Sequence, residues 1–181
     1  MNHTKMEKVF FKEEQKFGSV SLYVSMGLIY AATVGFLLYG NILQFVYHQP
    51  WGDNPVSDNG LILMTVLILV VLAVSAYLLF GSRLVTEINS KGIMYNFYPF
   101  FKKEKHISKD LIITHELRKY KPIMEYGGWG IKKGQKGRGD AFNVKGNIGL
   151  QLVLKDGKKV LFGTQRPDAL KRAMMKLMSD S

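Results

Sequence analysis

The sequence predicts a two-helix transmembrane hairpin followed by a mainly-β barrel or sandwich of about seven strands with a C-terminal α-helix. Three observations carry this. Two long segments lack charged side chains, the residues after them alternate apolar and polar with a period of two, and the C-terminal stretch carries an apolar stripe at helical spacing. The 181 residues have a net charge of +11. That charge is unevenly spread: residues 1–82 hold four Lys and five acidic residues, a net of −1, and residues 83–181 hold the remaining net of +12.

The N-terminal tail, residues 1–19, carries Lys5, Lys8, Lys12 and Lys16 and reads as a cytoplasmic extension. From Phe17 to Gly52 there is no Asp, Glu, Lys or Arg. Residues 20–46 would rise about 40 Å as a helix, enough to cross a hydrocarbon core of about 30 Å with tilt. A cleaved leader is excluded by length, because its apolar core runs only about 7–15 residues. Residues 47–60 contain Pro50, Gly52 and Pro55, which break helicity, and no Lys or Arg. Residues 61–82 form the second span, whose apolar run Leu61–Phe80 matches the hydrocarbon directly. Lys and Arg cluster before the first span and after the second, so the positive-inside rule places both termini in the cytoplasm and the loop outside. The expected location is the inner membrane, as a multi-pass protein. Within the first span, Gly27, Ala31 and Gly35 recur every four residues. Such a small-residue stripe permits close helix packing, with the second span or a second copy as its expected partner. Neither span carries an ionisable residue, so the pair reads as an anchor and not a conduit.

Residues 83–181 form the cytoplasmic module. Leu84, Thr86 and Ile88 alternate with Val85, Glu87 and Asn89, and Asn89–Gly92 reads as a turn. Ile93, Tyr95 and Phe97 share the core face of a second strand. Leu111–Leu117, Trp129–Lys133 and Ala141–Val144 are further strands. Ile148, Leu150, Leu152 and Leu154 give the clearest alternation, and Asp156-Gly157 is a two-residue hairpin signal leading to Val160 and Phe162. Pro167 opens the last helix, with Leu170, Ala173, Met174 and Leu177 on one stripe.

Seven strands closed by a helix in about 100 residues is the order of a pleckstrin-homology-like (PH-like) domain. The runs Tyr126-Gly127-Gly128-Trp129-Gly130-Ile131, Ala141-Phe142-Asn143-Val144, Gly149 to Leu154, and Phe162-Gly163-Thr164-Gln165-Arg166-Pro167 resemble bacterial membrane-tethered proteins with PH-like domains, over roughly residues 83–178. The resemblance implies a fold and a membrane location and transfers no catalytic residue.

Two basic motifs are candidate lipid contacts. Lys132, Lys133, Lys136 and Arg138 lie in a glycine-rich loop, and cations near an anionic leaflet contribute about 1 kcal/mol each. Phe100, Phe101, Lys102, Lys103 and Lys105 mix rings with cations, as an interface requires. Adjacent strand residues face opposite ways, so Phe100 and Phe101 cannot both be inward in a regular strand, and one of them is a candidate membrane or partner contact. Zero cysteines exclude thiol catalysis and zinc ribbons, the Gly128-x-Gly130 pattern lacks the third glycine of a dinucleotide loop, and His3, His48, His106 and His115 are scattered. No catalytic, cofactor-binding or metal-ligating set is legible. The expected function is therefore non-enzymatic: a basic module at the inner leaflet that binds a protein or anionic lipid. The alternative is an accessory subunit of a larger membrane complex. Nucleic acid is disfavoured as a partner because aromatic stacking platforms beside the cations are sparse.

Overall fold

The computed structural model describes residues 8–18, 20–134 and 137–179; Lys136 lies outside them. In chain order the elements are β1 (Val9–Lys16), α1 (Val20–Phe45), α2 (Asp58–Gly81), β2 (Arg83–Asn89), β3 (Gly92–Tyr98), β4 (Lys105–Ser108), β5 (Ile112–Lys119), α3 (Pro122–Tyr126), β6 (Gly130–Gly134), β7 (Gly139–Asn143), β8 (Ile148–Leu154), β9 (Lys159–Gly163) and α4 (Pro167–Ser179). They divide into two units: a β unit built from the residues up to Phe17 together with those from Ser82 onward, and a helical unit over Gly18–Gly81.

The β unit contains two sheets. The first has the order β1-β2-β3-β4 and is antiparallel throughout. The second has the order β5-β8-β9-β7-β6, with β7 and β9 parallel and the other pairs antiparallel. Each of the seven strands expected from the sequence has a counterpart, and among the described residues there are nine, because β1 and β4 join them. Residues 9–16 are therefore not part of a free tail. Phe11, Glu13 and Gln15 point inward and Lys12, Glu14 and Lys16 outward, the period-two placement of a sheet strand. Two of those three inward side chains are polar, which hides the strand in a hydropathy reading.

The β1–β2 ladder runs from Val9–Asn89 to Lys16–Arg83. The helical unit is thus an insertion within a β-hairpin, since the chain leaves the sheet at Lys16 and returns to its partner Arg83. At the other end of β2, the Asn89 side chain accepts hydrogen bonds from the Lys91 and Gly92 N–H groups at 2.9 and 3.2 Å, which closes the β2–β3 turn. Gly92 has φ +151°, and a Cβ there would overlap the Ile107 carbonyl oxygen, so β3 and β4 can approach only with glycine at this position.

Apolar side chains of both sheets meet in one core. Tyr95 of β3 lies 4.9 Å from the rings of both Phe142 and Phe162, and Phe97 is fully buried. Edge-to-face and tilted pairs of this kind add about 0.5–1.5 kcal/mol beyond area burial. Helix α4 closes this core with Leu170, Ala173, Met174 and Leu177, all buried. Its start is fixed by Glu13, whose carboxylate accepts from Thr164 Oγ1 at 2.8 Å, from the Gln165 N–H at 2.9 Å and from Gln15 Nε2 at 3.3 Å. The Gln15 amide also donates to the Gly163 carbonyl at 2.7 Å. The first strand thereby ties down the junction that leads into α4.

In the helical unit, α1 and α2 have 26 and 24 residues and are long and apolar enough to cross a bilayer. Side-chain pairs join them at three levels: Tyr30 Oη and Ser75 Oγ at 2.7 Å, Asn41 Nδ2 donating to Thr65 Oγ1 at 3.0 Å, and Gln44 Nε2 donating to Asp58 Oδ1 at 2.7 Å. These positions with Val34 and Leu37 recur at three- and four-residue steps, so they define one face of α1. The second helix begins at Asp58, earlier than its apolar run, because Ser57 and Asp58 supply an N-terminal cap and a negative charge.

Candidate functional site

The structure places the small-residue stripe away from the helix pair. Gly27, Ala31 and Gly35 are exposed, and a Cβ at Gly27 or Gly35 would meet nothing within 4 Å. The expectation that this stripe packs against the second helix is corrected: the polar pairs at Tyr30, Asn41 and Gln44 rotate another face of α1 toward α2. The glycine that packing does require is Gly40, where a Cβ would overlap the Trp51 ring. Trp51 lies back on α1, edge-on to Phe36 at 4.9 Å. Gly40→Leu is therefore expected to displace Trp51, while Gly27→Leu leaves it in place. Trp51 emission in a Trp129→Phe background checks this, with a red shift for the first variant and none for the second.

In the β unit, Lys16, Arg83 and Tyr98 occupy one rung at the end of the first sheet. The Arg83 guanidinium stands 5.4 Å from the Tyr98 ring centroid, a cation–π contact. From this rung the chain turns through Pro99 to Phe100 and Phe101. The two rings separate in the turn that follows β3, outside any strand. Phe100 is 54% exposed, and Phe101 packs on the core, 5.8 Å from Phe142 and 6.3 Å from Tyr95. Lys105 Nζ lies 3.9 Å from the Phe101 centroid, so this cation covers the core-facing ring while Lys102 and Lys103 stay exposed. Phe101 is thus a core residue, and Phe100 with Lys102 and Lys103 forms the accessible part of the motif.

The Phe101–Phe142 contact also brings in the second basic motif. Phe142 pairs with Ile131, and the next rungs pair Lys132 with Ala141 and Lys133 with Asp140. Lys133 is exposed, whereas Lys132 and Arg138 are half-buried. The parallel β7–β9 pairing adds Lys159, whose carbonyl lies against Gly139, and the turn before it holds Lys155 and Lys158. A sequence reading misses this third segment because Asp156-Gly157 registers only as a turn. Lys158 is held by Asp156 at 2.7 Å, and its pKa is raised by that hydrogen bond and charge. Burial raises the Tyr95 phenol pKa, with Asp140 adding to it, so this ring stays neutral in the core beneath.

A separate polar cluster lies on the second sheet. Arg118 donates to Glu125 at 2.9 Å, Gln151 at 3.0 Å and Tyr126 Oη at 3.2 Å, and Glu125 accepts from the Lys121 N–H at 2.8 Å. Burial alone would push the Glu125 carboxyl up, but the Arg118 and Lys121 hydrogen bonds and the guanidinium charge hold it below its ordinary range. This cluster seats α3 over Tyr120, Tyr126, Ala141 and Leu161, a small second core. The Tyr126–Ile131 run that carries the resemblance is explained by conformation: Gly127, Gly128 and Gly130 all have positive φ, and Trp129 Nε1 donates to the Gly146 carbonyl at 2.9 Å. A Cβ at Gly127 or Gly128 would meet nothing, so backbone angle and not crowding around Trp129 calls for glycine there.

Among the described residues no group of three His, Cys, Asp or Glu side chains could hold a metal ion. His106 is on β4, His115 on β5 and His48 in the loop after α1. No family model, curated protein or solved structure matches the chain.

Proposed function

We propose that the chain is a non-enzymatic integral membrane protein whose inserted hairpin crosses the bilayer and whose PH-like β unit meets anionic headgroups through a basic end. The observation that carries this is the Lys16–Arg83–Tyr98 rung. Arg83 follows the last residue of α2 by two positions, a reach of about 7 Å at most. If α2 spans the membrane, that reach keeps Arg83 near headgroup depth, and the adjoining Tyr98, Phe100, Lys102 and Lys103 are the residues we assign to the same contact. The β1–β2 pairing supports two crossings, because a strand before the first helix and a strand after the second share one ladder and must be on one side. The four-strand meander, second sheet and closing helix support the PH-like reading, and the Lys/Arg distribution supports a cytoplasmic placement at a bacterial inner membrane.

The cysteine-free sequence makes the test direct. A Phe100→Cys chain carrying one environment-sensitive dye is reconstituted into vesicles with and without phosphatidylglycerol. The dye is expected to report an apolar setting in the anionic vesicles, and Lys102→Glu with Lys103→Glu should reverse it. Water-like emission in both vesicle types overturns the lipid contact. Reporter fusions at residue 181 and in the loop near Asp53 test topology separately, and an external residue 181 overturns the orientation.

A further inference from the structure

Helix α3 and the turn after it expose apolar side chains that the fold does not use. Ile123 and Met124 are 69% and 70% exposed, and Trp129 is 40% exposed. Their place in the β unit follows from the sheet order. Strand β5 adjoins the β2–β3 turn, where the Lys109 N–H donates to the Lys91 carbonyl at 2.9 Å. From there the second sheet runs through β8, β9 and β7 to β6. Phe101, in the turn after Tyr98, packs on Phe142 of β7, so β7 and β6 adjoin the end marked by the Lys16–Arg83–Tyr98 rung. Helix α3 packs on β6, where a Cβ at Gly134 would overlap the Tyr126 ring, and Trp129 leads directly into β6. The exposed apolar tip therefore lies toward the end of the β unit at which the chain passes to the helical unit.

We infer that this tip enters the headgroup and upper acyl region of the bilayer as a second lipid contact, apart from the basic motifs, and so fixes which side of the β unit faces the membrane. The inference rests on the reading that α1 and α2 cross the bilayer. Leaving water costs this segment little, because its polar groups are already bonded within the chain. The Lys121 N–H donates to Glu125 Oε1, the Glu125, Gly127 and Gly128 N–H groups donate to the Lys121, Ile123 and Pro122 carbonyls, and Pro122 has no N–H. The Trp129 indole N–H donates to the Gly146 carbonyl, so its open ring needs no further partner. Glu125, the single acid between Leu117 and Gln135, is held by Arg118 at 2.9 Å. Lys119 and Lys121 precede α3, and Lys145 adjoins Gly146; all three are exposed and make no ion pair among the described residues. Ile, Met and Trp beside unpaired Lys is the composition of an interfacial segment, whose apolar groups sit at the acyl boundary while its cations reach anionic headgroups. The bilayer is favoured over a protein partner because the connections at Lys16 and Arg83 hold it next to this end of the β unit at all times.

The test uses the full chain, whose two tryptophans are Trp51 and Trp129. Trp51→Phe leaves Trp129 as the reporter, and Trp129→Phe leaves Trp51. Both chains are reconstituted into vesicles of phosphatidylcholine and phosphatidylglycerol, with and without bromine on the upper acyl chain, which quenches indoles that touch it. Trp129 emission is expected to be quenched by the brominated lipid. Ile123→Ser with Met124→Ser, both exposed in the folded domain, should abolish that quenching and shift the emission to the red at an unchanged melting temperature. Trp51 should be quenched with or without the double substitution, since it reports insertion of the hairpin alone. A quenched Trp51 beside an unquenched Trp129 overturns the tip contact, keeps the hairpin in the bilayer and leaves the tip to a protein partner. An unquenched Trp51 overturns the bilayer-crossing reading and this contact with it. Trp129 quenching that survives the double substitution overturns α3 as the contact, and a lowered melting temperature shows side chains that serve the fold and overturns it as well.

Discussion

A fragment beginning at Ser82 is expected to lack a cooperative fold, whereas a chain joining Phe17 to Ser82 through an Asn-Gly turn is expected to fold as a soluble domain. The ladder between β1 and β2 makes the difference. Without β1 the first sheet loses Phe11, a buried ring whose removal from water contributes about 1.5–3 kcal/mol, and a run of strand hydrogen bonds of about 1 kcal/mol each. It also loses Glu13 and Gln15, which hold the approach to α4. A domain of this size is stabilised by only about 5–15 kcal/mol, so these losses remove most of it. In the spliced chain, Lys16 and Arg83 already face each other, and a short turn replaces the helical unit without moving either strand. Near-ultraviolet circular dichroism and a thermal melt of the two proteins decide the matter. Equal melting temperatures would show that β1 is dispensable.

The second large effect is expected at Glu13. It is 5% exposed, and its two carboxylate oxygens take three donors from Thr164, Gln165 and Gln15. Glu13→Ala leaves the Thr164 hydroxyl and the Gln165 N–H without this acceptor, and takes from the Gln15 amide one of its two acceptors, the Gly163 carbonyl remaining. We expect a loss of about 2–4 kcal/mol by urea denaturation, the usual range for breaking a buried network. Glu13→Gln keeps one acceptor and should fall between the wild type and Glu13→Ala, and Thr164→Val, which removes one donor to Glu13 and the acceptor of the Arg166 N–H, should lose about 1–2 kcal/mol. Hydrogen exchange over residues 165–172 should accelerate in Glu13→Ala, because the carboxylate fixes the entry to α4. A change below about 0.5 kcal/mol, typical of a surface substitution, would refute this role.

Both predictions concern residues that sequence reading assigned to a free tail. Residues 9–16 show alternation, but with Glu and Gln on the inward side, and hydropathy cannot distinguish an inward carboxylate with three donors from an outward one. Strand β4 was missed for a different reason: it has four residues and buries only Ile107, too short a run to show a period. The short helix α3 was hidden because its stability comes from Arg118 and Glu125, contacts that no local pattern encodes.

The candidate contacts divide in the same way. Read as a strand, Phe100 and Phe101 cannot both be inward; they lie in the turn after β3, and the ring contacts of Phe101 with Tyr95 and Phe142 decide which of them is buried. The Gly27, Ala31, Gly35 stripe is a correct reading of spacing on a helix. Spacing defines a face without saying what covers it, and the partners of Tyr30, Asn41 and Gln44 turn that face outward.

By itself, the sequence determined two long apolar helices, seven strands, the closing helix and the uneven charge, because each is written in local period, length or composition. The tertiary structure decided that the helical pair is inserted inside a β-hairpin, that the first strand belongs to the sheet, and which side chains share the basic end. Those features depend on pairs such as Lys16–Arg83 and Glu13–Thr164, many residues apart in the chain, whose contact exists only after the backbone has folded.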